Sequence, residues 1–83
     1  MKPQVTIYQR ESCHLCEIAA AQLAQLRTDY EFELELVDIE SSDDLHQRYL
    51  ERIPVVALDG VELYDFEIDL DDLNSRLLEA SAR

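Results

Sequence analysis

The sequence predicts a single α/β domain of order βαβαββα, with three helices packed on a four-stranded mixed sheet. Two alternating apolar segments flank a long amphipathic one, and two further apolar runs flank an Asp-Gly pair. The only two cysteines stand as Cys13-His14-Leu15-Cys16, between the first alternating segment and the amphipathic one. A chain of 83 residues has room for one core and no second domain.

From Gln4 to Gln9, Val5 and Ile7 alternate with Thr6 and Tyr8, and three of these positions are β-branched, which predicts the first strand. Between Cys13 and Arg27, Leu15, Ile18, Ala19, Leu23 and Leu26 recur at helical spacing, with no proline or glycine to interrupt them. Ser12 stands where an N-cap is expected. Cys13 would then lie in the first turn, where free N–H groups and the helix dipole favour a thiolate. In the predicted second strand, Phe32 to Asp38, Phe32, Leu34 and Leu36 alternate with glutamates before Val37 and Ile39 follow. Strand, helix, strand within this length implies a right-handed parallel unit.

Ser41-Ser42-Asp43-Asp44 reads as a capping box opening a short helix from Asp43 to around Glu51, with Leu45 and Tyr49 or Leu50 inward. Ile53-Pro54 ends it, because the residue before a proline is disfavoured in helical geometry. Val55–Leu58 and Val61–Tyr64 flank Asp59-Gly60, a hairpin whose turn holds the sole glycine of the chain, where positive φ is needed. Asp69 is placed to cap a last helix with an apolar stripe of Leu70, Leu73, Leu77 and Ala80.

Nineteen acidic residues against seven basic ones set the net charge at -12, which argues against nucleic acid or an anionic membrane as partner and favours a basic or neutral one. Met1-Lys2-Pro3-Gln4-Val5 carries no apolar run of signal-peptide length, and no uncharged stretch approaches a membrane span, so a cytoplasmic, monomeric protein is expected. In that compartment a C-x-x-C beside a strand-helix pattern reads as a redox motif. As a staple it would achieve little, since closing so short a loop removes little entropy from the unfolded chain.

The order of elements, the C-x-x-C at the start of the first helix and Ile53-Pro54 before a hairpin together resemble the thioredoxin superfamily over nearly the whole chain. More narrowly, Tyr8-Gln9-Arg10-Glu11-Ser12-Cys13-His14-Leu15-Cys16 and Arg52-Ile53-Pro54-Val55-Val56 are similar to short bacterial glutaredoxin-like proteins with a Cys-His-Leu-Cys motif. The resemblance implies a thioredoxin-like fold in which Cys13 is the exposed nucleophile and Cys16 the more buried resolving thiol. Pro54 would be a cis-proline beside the pair, turning the backbone of Ile53 toward the dithiol as an edge for a substrate peptide. Arg10 falls where glutaredoxins carry a lysine that neutralises a thiolate or a glutathione carboxylate. One departure stands out. Where glutaredoxins show Gly-Gly followed by a polar and an acidic residue, this chain has Tyr64-Asp65-Phe66-Glu67, with no glycine for close backbone approach and an added acid to repel glutathione. Asp69, Asp71 and Asp72 are candidates for the missing acid.

Thiol-disulfide exchange needs a thiolate. The helix N-terminus, Arg10 and a protonated His14 favour it at Cys13, whereas Glu11, Glu17 and the overall negative field oppose it. Spacing of i and i+3 sets both sulfurs on one side of the first turn, within bridging range. The expected function is therefore a dithiol oxidoreductase that reduces or exchanges disulfides in protein or small-molecule substrates. It would hold no bound cofactor, and glutathione or a thioredoxin-type reductase would supply electrons. The alternative is a binding module presenting Ile53, Pro54 and the dithiol face to a protein partner with little turnover. Plainer roles are also open: Arg10 as a surface charge pairing Glu11 or a helix acid, His14 as a solvated side chain, and Tyr8 and Tyr64 as packing residues. Cys13 and Cys16 have zinc-ligand spacing, but His14 and His46 do not complete a four-ligand set, and a cluster shared by a dimer has no stronger basis.

Overall fold

The computed structural model describes residues 2–81; Met1, read above with the N-terminal stretch, lies outside them. In chain order the elements are β1 (Gln4–Gln9), α1 (His14–Leu26), β2 (Glu33–Asp38), a 3-10 turn (Ile39–Ser41), α2 (Asp43–Tyr49), β3 (Val55–Leu58), β4 (Val61–Asp65) and α3 (Leu70–Ser81). The strands lie in the order β2-β1-β3-β4. β1 pairs parallel with β2 and antiparallel with β3, and β3 pairs antiparallel with β4, the predicted mixed sheet.

Each strand sends alternate side chains to opposite faces, and here both faces of the central strands are covered. Val5, Ile7 and Val56 pack with Ala19 and Leu23 of α1 and Leu73 and Leu77 of α3. On the other face Ile39, Tyr49 and Val55 form a smaller cluster, against which Tyr8, Leu45, Leu50 and Ile53 pack. Two-sided coverage explains why Val55-Val56-Ala57 is a continuous buried run. Among the described residues no helix is long and apolar enough to cross a membrane.

Three apolar expectations need correction. Leu36 is 53% exposed: β2 is an edge strand, and the helix layer that meets Leu34 does not reach its far end. Leu70 is 40% exposed because it opens α3 before the helix meets the sheet, so the buried stripe runs from Leu73 through Leu77. On α1, Leu15 and Ile18 are 41% and 43% exposed, leaving Ala19 and Leu23 as the packed positions. The short 3-10 turn was not predicted; the Asp38 carboxylate starts it by accepting the Glu40 N–H at 2.9 Å, and it carries the fully buried Ile39.

Local chemistry sets the other boundaries. Ser42 caps α2 by accepting the Leu45 N–H at 3.1 Å, and the helix ends at Tyr49, two residues short of Glu51. Asp59 and Gly60 both take positive φ, 50° and 86°, as a two-residue primed turn requires. Asp69 caps α3 by accepting the Asp72 N–H at 3.1 Å.

Tyr64 ties β4 to α3. Its hydroxyl donates to Asp72 Oδ2 at 2.6 Å, and Arg76 Nε donates to the same oxygen at 2.8 Å. Burial, and then the hydrogen bond to Asp72, push the Tyr64 phenol above its ordinary range. A phenol raised on folding contributes stability that is fully present below the unfolded value of about 10 and is lost as pH rises through the folded one. Tyr64→Phe is thus expected to remove a phenolate step lying above the ordinary range in an ultraviolet titration. Removal of a step at the ordinary position would show that Tyr64 is open to water.

Candidate active site

β1 delivers the chain to the site, and a tight reversal starts α1. Ser12 takes φ 60°, a left-handed conformation that few residues other than glycine adopt, and Cys13 follows in extended geometry at φ −103°, ψ 106°. An N-cap needs that extended backbone, so Cys13 and not Ser12 caps the helix. Its Sγ accepts the Cys16 N–H at 3.2 Å, and its carbonyl accepts the Glu17 N–H at 3.0 Å. The sulfur thus occupies the place of a capping oxygen. Once reduced and ionised, it would receive a charge-assisted hydrogen bond at the positive end of the helix.

Cys13 and Cys16 are joined as a disulfide, with Cα atoms 5.2 Å apart. Cys16 is 1% exposed, whereas Cys13 is half-buried and the more exposed residue of the pair. His14 stands in solvent, its Nδ1 3.8 Å from Glu17 Oε2, an ion pair only when His14 is protonated. Arg10 is engaged elsewhere: its Nη2 lies 3.3 Å from Glu40 Oε1, a carboxylate of the turn after β2 and not Glu11.

Pro54 is buried, and the Ile53–Pro54 peptide bond is cis. The Pro54 carbonyl accepts the Phe66 N–H at 2.9 Å, which joins the proline loop to the end of β4, while Ile53 is half-buried against the α2 cluster. A clamp that the sequence reading left without a role braces this loop. The Arg52 fork places Nε 3.0 Å from Asp65 Oδ2 and Nη2 3.1 Å from Asp65 Oδ1, and Nη2 also donates to Glu62 at 2.7 Å. Tyr49 donates its hydroxyl to Glu62 at 2.8 Å and stacks on Tyr8 with ring centroids 4.2 Å apart. Hydrogen bonds from Arg52 and then Tyr49 hold the Glu62 carboxyl below its ordinary range. The signal in the sequence was Arg52 directly before Ile53-Pro54, but its two acids become partners only through the β3–β4 pairing.

The stretch without glycine still makes a left-handed turn. Phe66 takes φ 67° and leaves its side chain 49% exposed. Of the candidate acids beyond it, Asp69 caps α3 and Asp72 holds Tyr64 and Arg76, so both are engaged. The first turn of α1 separates two openings. One, about 420 Å³, is bordered by Arg10, Glu11, Cys16, Glu17 and Asp38. The other, about 270 Å³, is bordered by Leu15, Ile18, Gln22, Phe66, Glu67 and Ile68. Among the described residues no group of three or more His, Cys, Asp or Glu side chains is placed to hold a metal ion.

A four-stranded mixed sheet, three helices and a C-x-x-C pair at a helix N-terminus define a thioredoxin-fold protein with a vicinal dithiol site. The glutaredoxin-like domain (DUF836) matches residues 4–81, and the chain belongs to that family. An uncharacterised protein of Mycobacterium tuberculosis is 33% identical over 73 residues, covering 82% of this chain and 75% of its own length. A solved structure from Nitrosomonas europaea superposes with a TM-score of 0.80 at 33% identity, over 93% of each chain. One from X. campestris gives 0.72 at 36% identity, over 92% of this chain and 97% of its own. Thioredoxin from Fasciola hepatica shares the fold, with a TM-score of 0.62 at 20% identity, over 95% of this chain and 81% of its own.

Proposed function

We propose that the protein is a small dithiol oxidoreductase that reduces or exchanges disulfides. The observation that carries this reading is the capping position of Cys13 Sγ, on the more exposed residue of the pair and bonded to the buried Cys16. In the reduced protein the Cys13 thiolate attacks one sulfur of a substrate disulfide, forming a mixed disulfide and expelling the other substrate sulfur as a thiolate. Cys16, deprotonated in turn, attacks Cys13 Sγ, releases the second substrate thiol and regenerates the Cys13–Cys16 disulfide. Two electrons have then passed to the substrate. A thiol donor, glutathione or a thioredoxin-type reductase, returns them in a cytoplasmic setting, and no bound cofactor takes part. Ile53 and Pro54 supply the backbone edge beside the pair, and Arg10 and His14 adjust the local charge.

The test is the redox equilibrium of the pair against graded glutathione buffers, with trapped thiols read by intact mass. A clean two-electron transition in the cytosolic range, roughly −220 to −320 mV, is expected. A pair that stays reduced throughout would overturn the proposal in favour of a binding module.

A further inference from the structure

We infer that the site selects a cationic protein disulfide with an apolar residue near its cysteine, in preference to glutathione disulfide. The inference rests on the oxidoreductase reading and specifies its substrate. Leu15, between the two cysteines, Ile18 one turn on and Phe66 border one opening, each between 41% and 49% exposed. A contiguous apolar surface of this kind beside a reactive sulfur marks a recognition site more readily than a packing defect. Phe66 is the telling member. An aromatic residue at positive φ costs about 1–2 kcal/mol of backbone energy, and Phe66 keeps that conformation while leaving half of its ring exposed at the opening.

Charge specifies the rest of the occupant. Across the first turn of α1, Glu11, Glu17 and Asp38 border the second opening, and Arg10, the one cation bordering it among the described residues, is paired with Glu40. Glu67 adds an acid to the apolar side, and His14 offsets Glu17 only when protonated. On a chain of net charge -12, this surface attracts cations to the dithiol and repels the carboxylates of glutathione. A substrate segment would lay its apolar side chain against Leu15, Ile18 and Phe66 and turn a lysine or arginine toward Glu11, Glu17 and Asp38. Its disulfide would then meet Cys13 for the exchange described above.

The test compares single-turnover rates of the fully reduced protein with two disulfide peptides of equal length, one carrying Lys and Leu near the cysteine, the other Glu and Ser. Glutathione disulfide and uncharged hydroxyethyl disulfide complete the set. The cationic apolar peptide is expected to react about tenfold or more faster than the acidic one at low salt, with the advantage shrinking as salt rises. Phe66→Gly, which suits the left-handed backbone, and Ile18→Ser are each expected to lower the ratio of the cationic-peptide rate to the hydroxyethyl disulfide rate several-fold. Equal peptide rates, an unchanged ratio in both variants, or glutathione disulfide reacting as fast as the cationic peptide would overturn the inference alone. Failure to reduce any of the four disulfides would instead remove the oxidoreductase reading, and this inference with it.

Discussion

Cys13→Ser is expected to bring disulfide reduction down on the order of a hundredfold or more, to the background rate, because a hydroxyl is not ionised at neutral pH and only the thiolate attacks a disulfide. Folding should survive the change. The introduced hydroxyl stands where Cys13 Sγ accepts the Cys16 N–H, and serine is a preferred N-cap residue. Loss of activity without loss of stability is therefore the signature of a nucleophile. Cys16→Ser separates the two sulfurs further. The first attack proceeds, no internal thiol releases the product, and a mixed disulfide on Cys13 accumulates, visible as one substrate adduct by intact mass. Full activity in Cys13→Ser would refute the mechanism, and the absence of an adduct on the remaining Cys13 in Cys16→Ser would show that Cys13 is not the entry point.

Leu73→Ala is expected to cost about 2–5 kcal/mol, measured by chemical denaturation with the disulfide intact. Leu73 is fully buried in the larger core cluster, between α3 and the sheet face formed by Val5, Ile7 and Val56. A domain of 83 residues holds roughly 4–12 kcal/mol in total, so this one truncation removes a large share of it. In thermal unfolding it should lower Tm by about 10 °C or more. Leu70→Ala, one turn earlier on the same predicted stripe, should cost less than about 1 kcal/mol, because Leu70 is 40% exposed. Equal costs at the two positions would mean that α3 docks in a different register.

These two leucines show where sequence reasoning stops. Periodicity states which side chains share a face of a helix or strand, but it carries no information on where the covering layer ends. Leu15, Ile18, Leu36 and Leu70 all fit their patterns and all lie at the margins of that layer. Turns are different, because their causes are local. Asp59-Gly60 encodes its own positive φ, and the caps at Ser42 and Asp69 act on N–H groups three residues away. Ser12 is the instructive exception: a good capping residue by type, it is displaced from that role by the left-handed turn that leaves β1.

Near neighbours and alternation are enough to read the order βαβαββα, the hairpin and the placing of Cys13 and Cys16 at the mouth of α1 from the residues alone. Folding was needed to make Cys13 Sγ the capping atom, to pair Arg10 with Glu40, and to set Arg52 against Glu62 and Asp65 beside the cis Pro54 loop. The left-handed turn at Phe66 and the apolar opening it borders with Leu15 and Ile18 likewise come from the fold. The difference is one of range. A cap or a hairpin turn is settled within four residues, whereas an ion pair, a bordered opening or an exposed leucine depends on which distant strands and helices the sheet order brings alongside.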